Sequence, residues 1–315
     1  MQERKKDMDY SKFRIKILEE LKDFYGKDAS VKIQKVYKNN DIEKYGIIIR
    51  FINDEPDRIV PVIYLEGLYD CYTSGSMDME DCIGKIINER EEALNHQEKG
   101  STSLAGIMKW ENVRQNIYPV LISTEANKEL LKDLVSIDML DLSIVYIIRS
   151  KCTDTSCFAS IKVKKCFLDC YGISREQLHM QALSNMKKDG YGFYELAEVT
   201  KILMNDLQHS VEGMKKIDNI ANDMIYIMTN SALFYGTAGI LDSQWLYEKT
   251  GGISCYIIPS SVHELLFVPD NGYINQEELD EMIQETNNIA LMEDEKLSDH
   301  CYYYDAEIGE IRNRK

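Results

Sequence analysis

The spacing of the apolar residues changes along the chain between the period of a helix and that of a strand. From Tyr10 to Phe24 apolar residues recur every three or four positions, which predicts an amphipathic helix that ends at Gly26. Short β-branched runs that predict antiparallel strands follow at residues 31–35, 45–52 and 59–65. Helices and strands are mixed without a strict βαβ rhythm. The sequence therefore predicts an α+β fold with mainly antiparallel sheets packed against helices.

The length of the chain predicts two packed units. At 315 residues it exceeds the usual size of one domain. Residues 95–106 lose periodicity and are rich in Gly, Ser, Thr and His, which is typical of a connecting loop. We therefore predict an N-terminal α+β unit over residues 1–98 and a C-terminal α+β domain over residues 107–315.

Composition and charge argue against several classes of protein. The formal net charge of −16 opposes attraction to phosphate backbones, so no direct binding of nucleic acid is expected. The opening residues lack the apolar run of a secretory signal, and the longest apolar stretch, residues 142–148, is too short for a membrane span and predicts a buried strand. The sequence motifs of phosphate loops and of dinucleotide-binding folds are absent. We expect a cytoplasmic protein that does not bind membranes.

Acidic residues are concentrated near the C terminus. Between Asn275 and His300 there are nine acids and one base, Lys296. Asn275, followed by Glu278 three positions later, predicts the start of a capped helix. Such a helix would project negative potential that could steer a basic partner, although a face that only keeps the protein soluble is the simpler interpretation. The candidate partner-binding residues are Glu277, Glu278, Glu281 and Glu285.

A hydroxyl, an imidazole and a carboxylate lie close together after a predicted strand. The residues that could support nucleophilic catalysis are Ser260, Ser261, His263 and Glu264. Sequence neighbours rarely reach the geometry that such catalysis requires, and the GxSxG motif is absent. A serine that caps a turn or a helix is the simpler interpretation of the same segment.

Four cysteines could form a tetrahedral zinc site if the fold brought them together. They are Cys152, Cys157, Cys166 and Cys170. Their spacing departs from the close pairs that structural zinc sites favour, and a chain without a signal peptide is expected in a reducing compartment. We therefore expect free thiols, and neither a metal ion nor another cofactor.

The run at residues 137–148 and the alternating residues 158–163 predict a pair of strands, and three acids near this pair could form a carboxylate cluster for a divalent ion. They are Asp138, Asp141 and Asp169. Asp141 interrupts an apolar run, and burial at that position would raise its pKa. Solvated strand ends are the simpler interpretation, because acids are seldom fully buried unless they are paired.

Several segments of the chain resemble the bacterial domain-of-unknown-function 5688 family. The resemblance begins with VKIQKVYKNND, IIIRF and PVIYLEGLYDCYTSG, continues through MIYIMTNSALFYGTAGILDS and YIIPSSVHELLFVPD, and covers nearly the whole chain. More distantly, the last third resembles the domain-of-unknown-function 1444 family. The resemblance implies a Firmicutes origin and a cytoplasmic location, and it implies no known reaction, cofactor or catalytic residue.

These observations lead to competing hypotheses about function. The first is a noncatalytic protein-binding module with an acidic surface, and a narrower form of it is an inhibitor or phosphate mimic that acts on a nucleic-acid-handling enzyme. The second is a hydrolase that uses the Ser260–Glu264 segment. The first predicts complexes that dissociate as salt rises, and the second predicts a pocket around His263.

Overall fold

A computed structural model of the chain describes residues 8–55, 58–97, 104–151, 158–204, 215–221 and 224–313. The chain forms two compact units. The first comprises Met1–Lys38 and Ile42–Lys109, and the second comprises Asn39–Asp41 and Trp110–Lys315. No local pattern in the sequence had separated Asn39–Asp41 from their neighbours. None of the helices in the described ranges is both long enough and apolar enough to cross a membrane.

The first unit combines a three-stranded antiparallel sheet with helices. In order across the sheet, its strands are β1 (Ala29–Tyr37), β2 (Glu43–Phe51) and β3 (Ile63–Tyr64). Its helices are α1 (Tyr10–Tyr25), α2 (Glu66–Ser74), α3 (Met79–Gln97) and α4 (Leu104–Ile107). The predicted first helix is confirmed, since Phe13, Ile17 and Leu21 are fully buried on one face of α1 and Gly26 follows its end.

The second unit contains two further sheets. Its strands are β4 (Ile117–Ser123), β5 (Ser136–Met139), β6 (Leu142–Lys151), β7 (Phe158–Lys162), β8 (Tyr191–Glu195), β9 (Tyr226–Asn230), β10 (Cys255–Ile258), β11 (Leu265–Pro269), β12 (Tyr302–Asp305) and β13 (Glu310–Arg312). The described strands form a six-stranded sheet in the order β13-β12-β10-β11-β9-β8 and a four-stranded sheet in which β6 pairs with β4, β5 and β7. Every described strand pair is antiparallel, so the predicted α+β class is confirmed.

The helices of the second unit pack around these sheets. They are α5 (Trp110–Val113), α6 (Lys128–Asp133), α7 (Lys165–Tyr171), α8 (Arg175–Asp189), α9 (Leu196–Met204), α10 (Ser243–Thr250) and α11 (Gln276–Ile289). Helix α8 begins with a full capping box between Ser174 and Gln177. Helix α11 packs Ile283 against a buried cluster that includes Tyr256 and Tyr303 of the six-stranded sheet.

Two regions differ from the sequence-based prediction. Residues 137–148 were predicted as one strand, but the chain turns at Leu140 and Asp141 and forms β5 and β6 instead. Leu140 adopts a left-handed conformation with φ of 57°. The sequence pattern of residues 174–206 favours helices throughout, but β8 lies between α8 and α9. Pairing of β8 with β9 supplies the hydrogen bonds that local propensity did not indicate.

Candidate functional site

Helix α11 carries the acidic residues that the sequence indicated. Asn275 caps the helix as predicted, because its Oδ1 accepts a hydrogen bond of 3.0 Å from the Glu277 backbone N–H. Asn287 lies on the buried face, where its Nδ2 donates to the Ser298 carbonyl at 3.0 Å and to Asp299 Oδ1 at 2.7 Å. These bonds hold one face of α11 against residues 298–299 of the same unit, and the opposite face is exposed to solvent.

That solvent face holds all four candidate partner-binding residues. The exposed residues that we call the acidic face are Glu277, Glu278, Glu281 and Glu285. Among the residues that the structure describes, none of these carboxylates takes part in an ion pair. Exposed apolar side chains share the helix, with Met282 at 49% and Ile289 at 86% exposure. Within the described part of the chain the acidic face therefore has no ion-pair partner, and it adjoins apolar surface.

A charged pair in the same unit joins the turn between β5 and β6 to the start of β12. Asp141 Oδ2 lies 3.1 Å from His300 Nε2, and Asp141 Oδ1 accepts a hydrogen bond of 2.9 Å from the Tyr302 hydroxyl. His300 Nδ1 lies 3.1 Å from the Cys301 carbonyl oxygen. Because a carbonyl only accepts and a carboxylate partners the other nitrogen, we assign a proton to both ring nitrogens and a positive charge to the imidazole.

The pKa values of the pair agree with this assignment. The hydrogen bond to Asp141 raises the pKa of His300 to about 9, against the opposing effect of burial. Burial acts to raise the pKa of Asp141, but the hydrogen bonds from His300 and Tyr302 outweigh it and the pKa is lowered. The net shift is therefore opposite to the one that burial alone would produce, because His300 and Tyr302, which are distant in the sequence, donate hydrogen bonds to Asp141.

A polar cleft of about 480 Å³ opens beside this pair. Its lining has mixed charge, with Lys296 and His300 facing several carboxylates. Both nitrogens of His300 are already hydrogen-bonded, so the imidazole has no free lone pair with which to act as a general base. We interpret the charged pair as a structural connection between two distant segments.

This connection should make stability depend on pH. The folded pKa of His300 lies above its usual value of 6.5, so the pair stabilises the fold fully below 6.5 and loses its contribution as pH rises through about 9. About a third of the imidazole, 35%, is exposed, so solvent screening reduces the gain. We expect His300→Gln to lower the free energy of unfolding by about 1 kcal/mol near neutral pH.

Urea unfolding from about pH 6 to about pH 10 would measure this contribution. The difference between the wild type and His300→Gln should shrink towards zero at the alkaline end. Asp141→Asn should reproduce the same trend, because it removes the acceptor that holds the proton on the imidazole. A difference that stays constant with pH would contradict the charged pair.

The other predicted carboxylates do not join Asp141. Asp138 lies exposed on β5, and Asp169 lies exposed on α7. Within the described residues, no group of three or more His, Cys, Asp or Glu side chains is placed to hold a metal ion. Of the four cysteines considered for zinc, Cys166 and Cys170 are exposed thiols on α7, whereas Cys152 and Cys157 lie outside the described residues.

The Ser260–Glu264 segment connects β10 to β11 and forms a tight turn. Ser261 is buried, and its Oγ accepts a hydrogen bond of 3.0 Å from the His263 backbone N–H. The Ser261 backbone N–H donates to the Glu264 carbonyl at 3.3 Å. Burial raises the pKa of Glu264, although the hydroxyls of Ser261 and Ser260 act in the opposite direction. The predicted role of a serine in holding a turn is thus visible at Ser261.

The imidazole of His263 packs within the second unit. Its Nδ1 accepts a hydrogen bond of 3.1 Å from the Tyr235 backbone N–H, and its ring stacks on Phe234 with ring centres 5.6 Å apart. Burial lowers its pKa, which favours the neutral ring. Among the described residues, no hydrogen bond joins this imidazole to a serine hydroxyl. His263 is thus already engaged in holding the neighbouring loop.

That loop, residues 230–236, was not singled out by the sequence. Leu233 and Tyr235 have left-handed backbones, with φ of 50° and 52°. Such strain persists only where the surroundings determine it, and Asn230 supplies much of that support. Its Oδ1 accepts hydrogen bonds from two backbone N–H groups of the loop, and its Nδ2 donates to the Phe234 carbonyl at 2.9 Å. Asn230 followed by Ser231 is a common pair of residues, so the sequence alone did not indicate this network of hydrogen bonds.

Comparisons with known proteins give a single result for the chain. The model of one family, described as a family of unknown function (DUF5688), matches residues 10–306. No curated protein and no solved structure matches the sequence.

Proposed function

The chain belongs to the DUF5688 family of unknown function, and we propose from its own surface that it is a noncatalytic protein-binding module that presents an acidic surface to a basic partner. The observation that carries the proposal is the acidic face of α11. Four carboxylates are exposed on one helix, and none forms an ion pair with another described residue. Clustered negative charge of this kind accelerates encounter with a basic surface and disfavours acidic partners.

The test compares three forms of the tagged full-length protein. The first is the wild type, the second carries Glu277→Gln, Glu281→Gln and Glu285→Gln, and the third is a control with the same change in charge. The control substitutes glutamine at three exposed glutamates of α3, which are Glu80, Glu91 and Glu92. Each form captures proteins from a lysate of its own host at about 50 mM salt, followed by elution with a salt gradient.

We expect a stoichiometric basic protein on the wild-type and control columns that elutes as salt rises and that the α11 variant fails to retain. Exposed charge pairs contribute about 0.2–1 kcal/mol each, so loss of three should weaken the purified complex by about tenfold. Equal retention on all three columns would contradict the role of the acidic face. A complex that is indifferent to salt, or the absence of any stoichiometric partner, would contradict the proposal as a whole.

The narrower form of the proposal is inhibition of a nucleic-acid-handling enzyme by phosphate mimicry. It is supported by the regular placement of carboxylates along α11, and it predicts that duplex DNA competes with the protein for its partner. We also propose a bacterial, Firmicutes origin and a cytoplasmic location for the protein. The distant relationship to the domain-of-unknown-function 1444 family is likewise a proposal. Immunolocalisation in the host would test the location.

A further inference from the structure

The solvent face of α11 has two parallel rows of side chains with different chemistry. Successive residues of a helix are rotated by about 100°, so Glu277, Glu281 and Glu285 lie within about 80° of one another and form an acidic row. Met282 and Ile289 lie within about 20° of each other and about 90° around the helix from the centre of that row. The buried face, with Ile283 and Asn287, is on the opposite side.

The second row consists of two exposed apolar side chains. Ile289 is 86% exposed and Met282 is 49% exposed, on a helix whose other exposed positions are mainly polar. Glu278 lies between the two rows, so charge and apolar surface are interleaved. A helix face that only kept the protein soluble would gain nothing from an exposed isoleucine and methionine beside its carboxylates.

Resting on the proposed function, we infer that the partner presents a basic amphipathic helix, which lies along α11 with its lysines or arginines on the acidic row and its apolar side chains on Met282 and Ile289. Charge complementarity selects the basic row of the partner. The apolar row favours a partner whose own apolar side chains are removed from water when they contact it, and the flexible side chain of methionine adapts readily to such contacts.

The two-row arrangement favours a helix over an extended strand as the occupant. One face of a strand presents a single line of side chains, because alternate residues point in opposite directions. A helix presents neighbouring rows on one face, with side chains repeating every three or four residues. The described helix α11 has 14 residues and is about 21 Å long, so a partner helix of similar length could engage both rows.

Two synthetic peptides of roughly 18 residues test this inference, a length at which an amphipathic helix can form on a surface. Both contain the same numbers of lysine and leucine. In the first, the lysines and leucines form two adjacent helical rows, and in the second their order is scrambled. Fluorescence anisotropy would measure the binding of each peptide to the full-length protein, and circular dichroism would measure the helicity of the bound peptide.

We expect the patterned peptide to bind about tenfold more tightly than the scrambled one and to become helical when bound. Met282→Ala with Ile289→Ala should weaken its binding by about tenfold, because the apolar contact is lost. The matched control is Ile15→Ala with Met180→Ala, which removes one exposed isoleucine and one exposed methionine from other helices and should have no effect.

The outcomes separate this inference from the function on which it rests. If the three α11 glutamines weaken binding but the alanine pair does not, the acidic face stands as a binding surface and the amphipathic helix is excluded. If a variant of the patterned peptide with prolines at its centre binds equally well, the helical occupant is excluded. If neither set of substitutions changes binding, both the inference and the proposed role of the acidic face fail.

Discussion

Replacing Gly236 by alanine should destabilise the second unit by about 3 kcal/mol, because the added methyl group has no space. A Cβ atom at this position would lie 2.3 Å from Thr229 Oγ1, 2.5 Å from the His263 carbonyl oxygen and 2.9 Å from the Asn230 backbone nitrogen. Two of these three atoms belong to the backbone, so a change of rotamer cannot relieve the contact.

The same atoms already hold the turn together. The Gly236 N–H donates to the His263 carbonyl at 2.9 Å, and the Thr229 hydroxyl donates to the same oxygen at 3.0 Å. Thr229 is fully buried, so its hydroxyl would lose its partner without gaining water if the turn moved away. The substitution therefore either compresses this network or breaks it.

Thermal unfolding followed by circular dichroism would measure the effect, with an expected fall in Tm of about 10 °C. Gly84→Ala is the control, because Gly84 lies within α3 and a Cβ atom there would meet no atom within 4 Å. Alanine is favoured over glycine within a helix, so this control should raise stability by about 0.5–1 kcal/mol. Similar stability of Gly236→Ala and the wild type would show that the described turn is incorrect.

Removing one partner of the Arg149–Asp189 pair should cost about 3–5 kcal/mol, because the remaining charge would lose its opposite charge at a mostly buried position. Arg149 Nη2 lies 2.6 Å from Asp189 Oδ1, and their side chains are 6% and 17% exposed. The guanidinium also lies over the ring of Tyr118, with its central carbon 3.8 Å from the ring centre. We expect Asp189→Leu alone to cause this loss of stability.

The double variant Arg149→Met with Asp189→Leu should recover most of the lost stability. Well-packed apolar residues often replace a buried ion pair without loss, since neither charge then has to leave water. Urea unfolding of the wild type, both single variants and the double variant forms a double-mutant cycle that isolates the interaction between the side chains. Additive effects of the two substitutions would contradict a coupled buried pair.

Local patterns were sufficient to predict much of the fold. The apolar spacing of Phe13, Ile17 and Leu21 predicted α1, and Asn275 predicted the start of α11. The apolar run at residues 142–148 predicted the buried strand β6. These predictions succeed because helical periodicity, capping and strand burial depend on residues close together in the chain.

Other features depended on partners far away in the sequence. Strand β8 interrupts a region with helical pattern because it pairs with β9, which begins more than thirty residues later. Asp141 and His300 are separated by 159 positions, and nothing near either residue indicated the other. The same reason explains why the pKa of Asp141 is lowered although burial acts to raise it.

The sequence by itself determined the α+β class, the principal helices and the concentration of acids near the C terminus, because each follows from composition or from periodicity within a few turns. Only the tertiary structure decided which face of α11 meets solvent, which atoms surround Gly236 and which partner holds the imidazole of His263. Those outcomes depend on contacts between segments that are remote in the chain, and their geometry arises only when the sheets and helices have packed.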